Sequence, residues 1–211
     1  MKKILLLVVL ISSISCKTTK LVDSYKNPEN VVFTAYKVLL VGMTPNEESR
    51  VAFESRLKEE FDKRDIESMR SIDLFDVNFT ASAKTEKELK AVERQLLDKD
   101  FDAVLFAKVL GSENKQTLRK NISDWGNYTG KFRDDYLQNQ DIYTSASYYG
   151  QFKVYHTETT LYCICEGKEQ SMVWRGSIDL SNPKNTDKAI DEYVKLVVNA
   201  MEEQDILFRK K

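Results

Sequence analysis

The chain is poor in the residues from which many catalytic and metal-binding sites are built. It has one histidine, His156, and three cysteines among 211 residues. It contains no G-x-S-x-G, H-E-x-x-H or P-loop sequence, so the common signatures of serine hydrolases, zinc proteases and nucleotide-binding loops are absent. We therefore expect no metal site, no cofactor and no enzymatic activity.

An excess of charge of one sign is also lacking. The chain has 32 lysines and arginines against 33 aspartates and glutamates, and its formal net charge is −1. Domains that bind nucleic acid carry a basic field, because the phosphate backbone attracts it. This balance excludes nucleic acid as the expected partner.

No apolar run is long enough to cross a membrane as a helix, which takes about 20 residues. The longest run, residues 4–11, follows Lys2 and Lys3 and is followed by small polar residues and Cys16. A charged start, a short apolar stretch and small residues before a cleavage site are typical of an export signal.

The end of this segment, Ser13-Ile14-Ser15-Cys16, resembles the lipobox of bacterial lipoprotein signals, although Ser13 stands where an aliphatic residue is more usual. The resemblance implies that residues 1–15 are a signal peptide and that Cys16 carries acyl chains such as palmitate. It also implies a cell-envelope protein anchored to a membrane, the outer membrane facing the periplasm. The alternative is an ordinary secretory signal with an incidental cysteine.

The remainder of the chain divides into a short polar segment and one domain. Residues 16–33 are predicted to be the lipidated N-terminus and a flexible tether, because they are polar, lack a period and contain Pro28. Residues 34–211 are predicted to form a single α/β domain, a length that suits one core.

Two stretches, 36–42 and 101–110, are apolar at successive positions, which indicates strands buried on both faces of a parallel sheet. Capping boxes at Thr44 to Glu47 and Thr85 to Glu88 predict helices between them. Residues 66–72 form a weaker strand, which suits an edge. The pattern predicts a three-stranded parallel β-α-β-α-β core with the strand order second, first, third.

Residues 152–165 and 170–180 predict an antiparallel hairpin that extends this core, and a helix after Pro183 is expected to cover it. The turn leaves two registers open, one with Cys163 facing inward and one with Ile164 facing inward. Because Cβ atoms two apart in a strand are too far apart for a disulfide, we expect none between Cys163 and Cys165.

A ligand cleft is expected where the strand order reverses. In open α/β sheets, ligands bind beyond the carboxyl ends of the strands at that point. It lies here between the ends of the first and third strands, beside a helix N-terminus that favours anions. The polar residues expected to gather there are Thr44, Asn46, Ser112 and Asn114.

The segment of about residues 111–150 lacks a period and is rich in aromatic residues. Aromatic side chains are enriched in interface cores. They either cover one face of the sheet or stay exposed and receive a partner, an envelope protein. The candidate partner-binding residues are Trp125, Tyr128, Phe132, Tyr136, Tyr143, Tyr148 and Tyr149.

The order of elements over residues 36–201 resembles small α/β periplasmic lipoproteins, such as activators of peptidoglycan synthases and the periplasmic part of the curli-secretion lipoprotein. This resemblance implies a non-catalytic binding or assembly-assisting module. The alternative is a small-ligand-binding or enzymatic domain that uses the cleft.

Overall fold

Six strands form a mixed sheet in the computed structural model, which describes residues 19–29, 32–75, 77–111, 130–144, 154–165, 171–181 and 185–208. The order of the strands across the sheet is β1-β6-β5-β4-β2-β3. Their bounds are β1 Thr19–Lys26, β2 Lys37–Met43, β3 Glu67–Arg70, β4 Ala103–Gly111, β5 Val154–Cys163 and β6 Met172–Ser181.

The sheet has a parallel and an antiparallel part. Strand β2 pairs in parallel with β3 on one side and β4 on the other, and Val41 lies opposite Phe106. The β4–β5, β5–β6 and β6–β1 pairs are antiparallel. The fold is therefore mixed α/β with a mostly antiparallel sheet, whose middle strands are β5 and β4.

Helices cover both faces of the sheet. On one face, α1 and α5 contribute side chains such as Leu57 and Val197 to an apolar core. On the other face, α3 and α4 contribute Leu89, Phe132 and others to a second core. The helices are α1 Glu47–Asp62, α2 Ser71–Leu74, α3 Glu86–Leu97, α4 Phe132–Asn139 and α5 Thr186–Glu203, with short 3₁₀ helices at Val77–Phe79 and Gln140–Thr144.

The three long helices end in the same way, with an aspartate rather than a glycine in the left-handed conformation. Asp65, Asp100 and Asp205 have φ angles of 57°, 64° and 54°. In each case the next residue is apolar and donates its N–H to the carbonyl five residues earlier, as Phe101 does to Leu96 at 3.0 Å. These are Schellman C-caps, and aspartate tolerates the left-handed region better than most residues.

The expectation of a flexible tether over residues 16–33 is wrong for its middle part. Thr19–Lys26 is strand β1, paired antiparallel with β6 along the edge of the sheet. Gln204 also holds β1 in place. Its side-chain amide donates to Ser24 Oγ at 2.8 Å, and its backbone carbonyl accepts from Lys26 Nζ at 2.6 Å. The strand is polar since it is an edge strand whose side chains are only partly covered, so it lacks the alternation that marks a strand.

The expectation of no disulfide is also wrong. Cys163 and Cys165 are joined, with their Cα atoms 5.4 Å apart, within the range that a disulfide bridges. The argument from strand geometry fails because β5 ends at Cys163, so Cys165 lies beyond the extended part of the chain.

Most of the hairpin, from Val154 opposite Ser181 to Leu161 opposite Trp174, has the register predicted with Cys163 facing inward, and the pairing shifts by one residue only next to the turn. Tyr162 lies opposite Met172 and Leu161 opposite Trp174, so Val173 is an extra residue in β6. This bulge turns Met172 toward one core and Trp174 toward the other. Both Cys163 and Ile164 are buried, since the sheet is covered on both faces.

Candidate functional site

An apolar cavity of about 210 Å³ lies at the carboxyl ends of β2 and β4, between the sheet and helices α1 and α5. This is the end of the sheet where the change in strand order predicts a cleft. Its lining comes from strands and helices alike: Gly42, Thr44, Ser49, Phe53, Ala107, Lys108, Val109, Tyr155, Thr157, Leu180, Thr186, Ala189, Ile190 and Tyr193.

Small side chains open the cavity. Gly42 on β2, Ala107 on β4 and Ala189 on α5 all line it. A Cβ atom at Gly42 would lie 3.3 Å from the Phe53 ring, so a larger residue there would crowd α1. Phe53 and Tyr193 lean against each other across the two helices, with ring centroids 5.6 Å apart. The cavity is therefore a gap left where small residues face large ones.

Two hydroxyl groups of the lining, those of Tyr193 and Thr157, form hydrogen bonds within the protein. The Tyr193 hydroxyl lies 2.5 Å from Thr159 Oγ1, and Thr157 Oγ1 donates to the Ile178 carbonyl at 2.7 Å. Burial raises the pKa of Tyr193 to about 12, while its hydrogen bonds with Thr159 and Thr157 oppose the rise. Tyr193 is thus a neutral phenol at physiological pH and offers no acid–base group there.

A buried carboxylate fixes the end of β2 beside the cavity. Glu54 is fully buried, and its Oε1 atom accepts hydrogen bonds from the Gly42 N–H at 2.9 Å and Ser71 Oγ at 2.7 Å. Arg50 Nε lies 3.2 Å from the same oxygen, and the Arg50 guanidinium also stacks over the ring of Tyr143. These bonds join the end of β2 to α1 and α2.

A second charged cluster lies on the opposite face of the sheet. Lys108 Nζ contacts Asp135 Oδ1 at 2.5 Å and Glu158 Oε1 at 2.6 Å, and Arg175 lies 3.3 Å from Glu158. The Tyr162 hydroxyl donates to Asp135 Oδ2 at 3.0 Å. This cluster, which we call the Lys108 network, ties α4 to the strands β4, β5 and β6.

Burial and charge act in opposite directions on Lys108. Desolvation lowers the pKa of its ammonium, but the attraction of Asp135 and Glu158 raises it by more, so the net pKa is raised. Two cations face two carboxylates in the Lys108 network, so the charges balance. His156 is buried on the same face, with Nδ1 2.5 Å from Asp179 Oδ1.

The four residues predicted for the cleft have different outcomes. Thr44 lines the cavity. Asn46, rather than Thr44, is the N-cap of α1, because its side chain accepts from the Ser49 N–H at 2.7 Å. Ser112 and Asn114 lie outside the described residues. The lining is apolar, so the cavity suits an apolar group and not the anion that the helix N-terminus alone suggested.

The predicted partner-binding residues separate into two groups. Phe132 and Tyr136 are only 3% and 5% exposed and pack against Phe106, so the expectation that they receive a partner is wrong and they belong to the core. Tyr143 lies under Arg50. The residues outside the described ranges are Trp125, Tyr128, Tyr148, Tyr149 and the predicted lipidation site Cys16.

Sequence patterns did not identify the residues that line the cavity, apart from Thr44. Phe53, Ile190 and Tyr193 lie on helical stripes, and such stripes predict core packing. No signal in the sequence shows that the facing residues are too small to fill the space. Helix α4 was missed as well, although the Phe132–Tyr136 spacing of four residues was a signal for it.

No helix within the described ranges has both the length and the apolar character needed to cross a bilayer. In the same ranges, no three histidine, cysteine, aspartate or glutamate residues are grouped so that they could hold a metal ion.

No protein-family model and no curated protein matches the chain. Among solved structures it is similar to the PelC dodecamer from Paraburkholderia phytofirmans, with a TM-score of 0.45 and 7% identity over 91% of this chain and 99% of that one. It is also similar to lipoprotein GNA1162 from Neisseria meningitidis, with a TM-score of 0.41 and 12% identity over 79% of this chain and 96% of that one.

Proposed function

We propose that this protein is a lipid-anchored cell-envelope protein that acts as a non-catalytic binding module. Cys16 is the acylated residue, residues 1–15 are the signal peptide, and the outer membrane facing the periplasm is the location. The apolar cavity at the carboxyl ends of β2 and β4 is a binding site for an apolar group.

The chemistry of the cavity carries the non-catalytic part of the proposal. Its lining includes aliphatic and aromatic side chains, and the hydroxyls of Tyr193 and Thr157 already have partners. Lys108 lines it, but its ammonium is held by Asp135 and Glu158 on the other face of the sheet. A general acid or base needs a pKa near the working pH, and this site provides none.

The position of β1 supports the anchoring part. The strand begins at Thr19, three residues after Cys16. Three extended residues span at most roughly 10 Å. A lipid on Cys16 would therefore hold the domain against the membrane, with the cavity end of the sheet toward it.

We propose that the partner of the module is another envelope protein. The candidates to receive it are Trp125, Tyr128, Tyr148 and Tyr149, since Phe132 and Tyr136 belong to the core. Large aromatic side chains with a polar end are the usual centres of such interfaces.

Replacing the anchor residue tests the proposal. Cys16→Ala protein should leave the detergent phase in phase partitioning and stop incorporating labelled fatty acid. A variant that still partitions with membrane would overturn the anchoring claim. Calorimetric titration with nucleotides, anionic sugars and muropeptides should give no binding heat, and a turnover or heat with any of them would favour the small-ligand or enzyme alternative.

A further inference from the structure

We propose that the apolar cavity holds the end of one acyl chain of the lipid on Cys16 of the same molecule. This inference rests on the proposed lipidation of Cys16. It assigns a ligand class, a saturated hydrocarbon chain, to the cavity and names the source of that chain.

Strand β1 begins at the end of the sheet where the cavity lies. Thr19 lies opposite Leu180 in the β1–β6 pair, and Leu180 lines the cavity. The Thr19 side chain is only 4% exposed and donates to Glu192 Oε2 on α5 at 3.0 Å. The N-terminal end of β1 therefore lies at the cavity end of the sheet, where Thr19 contacts α5.

Cys16 is close enough to β1 for an acyl chain on it to reach the cavity. Residues 17 and 18 are the only ones between Cys16 and β1. The chain between them therefore limits the distance from the Cα atom of Cys16 to that of Thr19 to roughly 10 Å. An acyl chain of ordinary length is longer than this distance, so its end can enter the cavity while the cysteine stays outside.

The volume and the apolar lining of the cavity suit the end of a hydrocarbon chain. An apolar cavity of about 150 Å³ binds benzene, so a cavity of about 210 Å³ has room for on the order of eight carbons. Its walls include Phe53, Val109, Ile190 and Tyr193, and it needs no counter-charge. A hydrocarbon chain requires no hydrogen bond, and the lining is mainly apolar.

Photo-crosslinking tests the proposal directly. Cells expressing the full chain are fed a fatty acid with a photoreactive group near its end, and the purified lipoprotein is irradiated in detergent and in membranes. The expected crosslinks are within one molecule, on peptides that contain Phe53, Ile190 or Tyr193. Mixing isotopically heavy and light protein distinguishes these from crosslinks between molecules.

A cavity-filling variant provides the matched control. Ala189→Leu adds bulk inside the cavity and should abolish the crosslinks to lining peptides, while Ala91→Leu, the same change on the exposed side of α3, should leave them. Both variants should keep the lipid. Lipidated protein without crosslinks to the lining peptides would overturn the inference and leave the anchor intact, whereas protein without lipid would overturn the proposed function instead.

Neutral alcohols test the cavity without the anchor. Cys16→Ala protein should bind n-alkanols with an affinity that rises roughly fourfold per added CH₂ and levels off at about eight carbons. The lipidated protein should bind them far more weakly, because its own chain competes. Equal binding by the two forms would contradict self-occupation, even if both are folded.

Discussion

Thr19, the first residue of β1, lies opposite Leu180, and Leu180 lines the apolar cavity. The pairing joins two features that are far apart in the sequence, the segment next to Cys16 and the cleft at the strand ends. Because β1 begins at Thr19, only residues 17 and 18 separate it from Cys16. The proposed lipid anchor on Cys16 would therefore lie at the same end of the domain as the cavity.

Removing the charge of Lys108 should destabilise the fold. Its ammonium is almost fully buried between Asp135 and Glu158. Lys108→Met leaves a buried carboxylate uncompensated, which costs about 3–5 kcal/mol on urea melts. Lys58→Met, which breaks the surface pair with Asp62, should change little. A loss of stability for Lys108→Met equal to that for Lys58→Met would show that the Lys108 network is not buried.

Stability should fall in alkali because of buried phenols. Burial raises the pKa of Tyr136 and Tyr193 from 10.0 to about 12, and that of Tyr143 is raised as well. The folded state thus favours the protonated phenol, and this stabilisation is complete below pH 10 and is lost as the pH rises toward 12.

Urea melts across this range, with tyrosinate absorbance, measure the loss. The Tyr193→Phe variant has no phenol to ionise at that position, so its free energy of unfolding should fall less steeply with pH than that of wild type. Identical slopes would mean that Tyr193 ionises as freely in the folded chain as in the unfolded one.

Glycine should improve a C-cap that aspartate now forms. Asp100 has a φ of 64°, a conformation that costs most residues about 1–2 kcal/mol and glycine almost nothing. After the extra entropy of glycine in the unfolded chain, Asp100→Gly should stabilise the protein by about 0.5–1 kcal/mol. Asp98→Gly, at a φ of −62°, should destabilise it by a similar amount. A loss of stability in Asp100→Gly would mean that its side chain has a role that outweighs the strain.

The aromatic residues of the segment 111–150 should differ in how much each contributes to the stability of the protein. Phe132→Ser removes a core ring that stacks on Phe106 and should lower the stability by about 3–5 kcal/mol. Trp125→Ser combined with Tyr128→Ser should leave the melting temperature nearly unchanged while crosslinked envelope partners disappear. A large drop in melting temperature for the double variant would place Trp125 and Tyr128 in the core and remove them as a binding surface.

Much of the sheet could be predicted from local patterns. Strands β2 and β4 are apolar at successive positions because both their faces are covered, and the Thr85 capping box forms as its spacing predicts. Strand β1 could not be predicted, since its polar residues gain their order from β6 and Gln204. The bulge at Val173 could not be predicted either, because it depends on the pairing of two strands.

The position of the cavity could be predicted from the sequence, but its apolar character could not. The change of strand order indicates a cleft after β2 and β4, and Thr44 lies in it. Its apolar character arises from Gly42, Ala107 and Ala189, which face each other only after α1 and α5 dock on the sheet. Space left between side chains is a property of packing, and a sequence pattern does not report it.

The orientation of the domain at a membrane surface tests whether the proposed anchor on Cys16 holds the cavity end of the sheet at the membrane. A fluorophore at Ser181→Cys, on the exposed last residue of β6 beside the cavity, is compared with one at Lys99→Cys near the opposite end of the sheet. The lipidated protein is placed in vesicles whose headgroups carry a quencher. We expect strong quenching at position 181 and weak quenching at position 99. Equal quenching, or the reverse order, would contradict an anchor that holds the cavity end at the membrane.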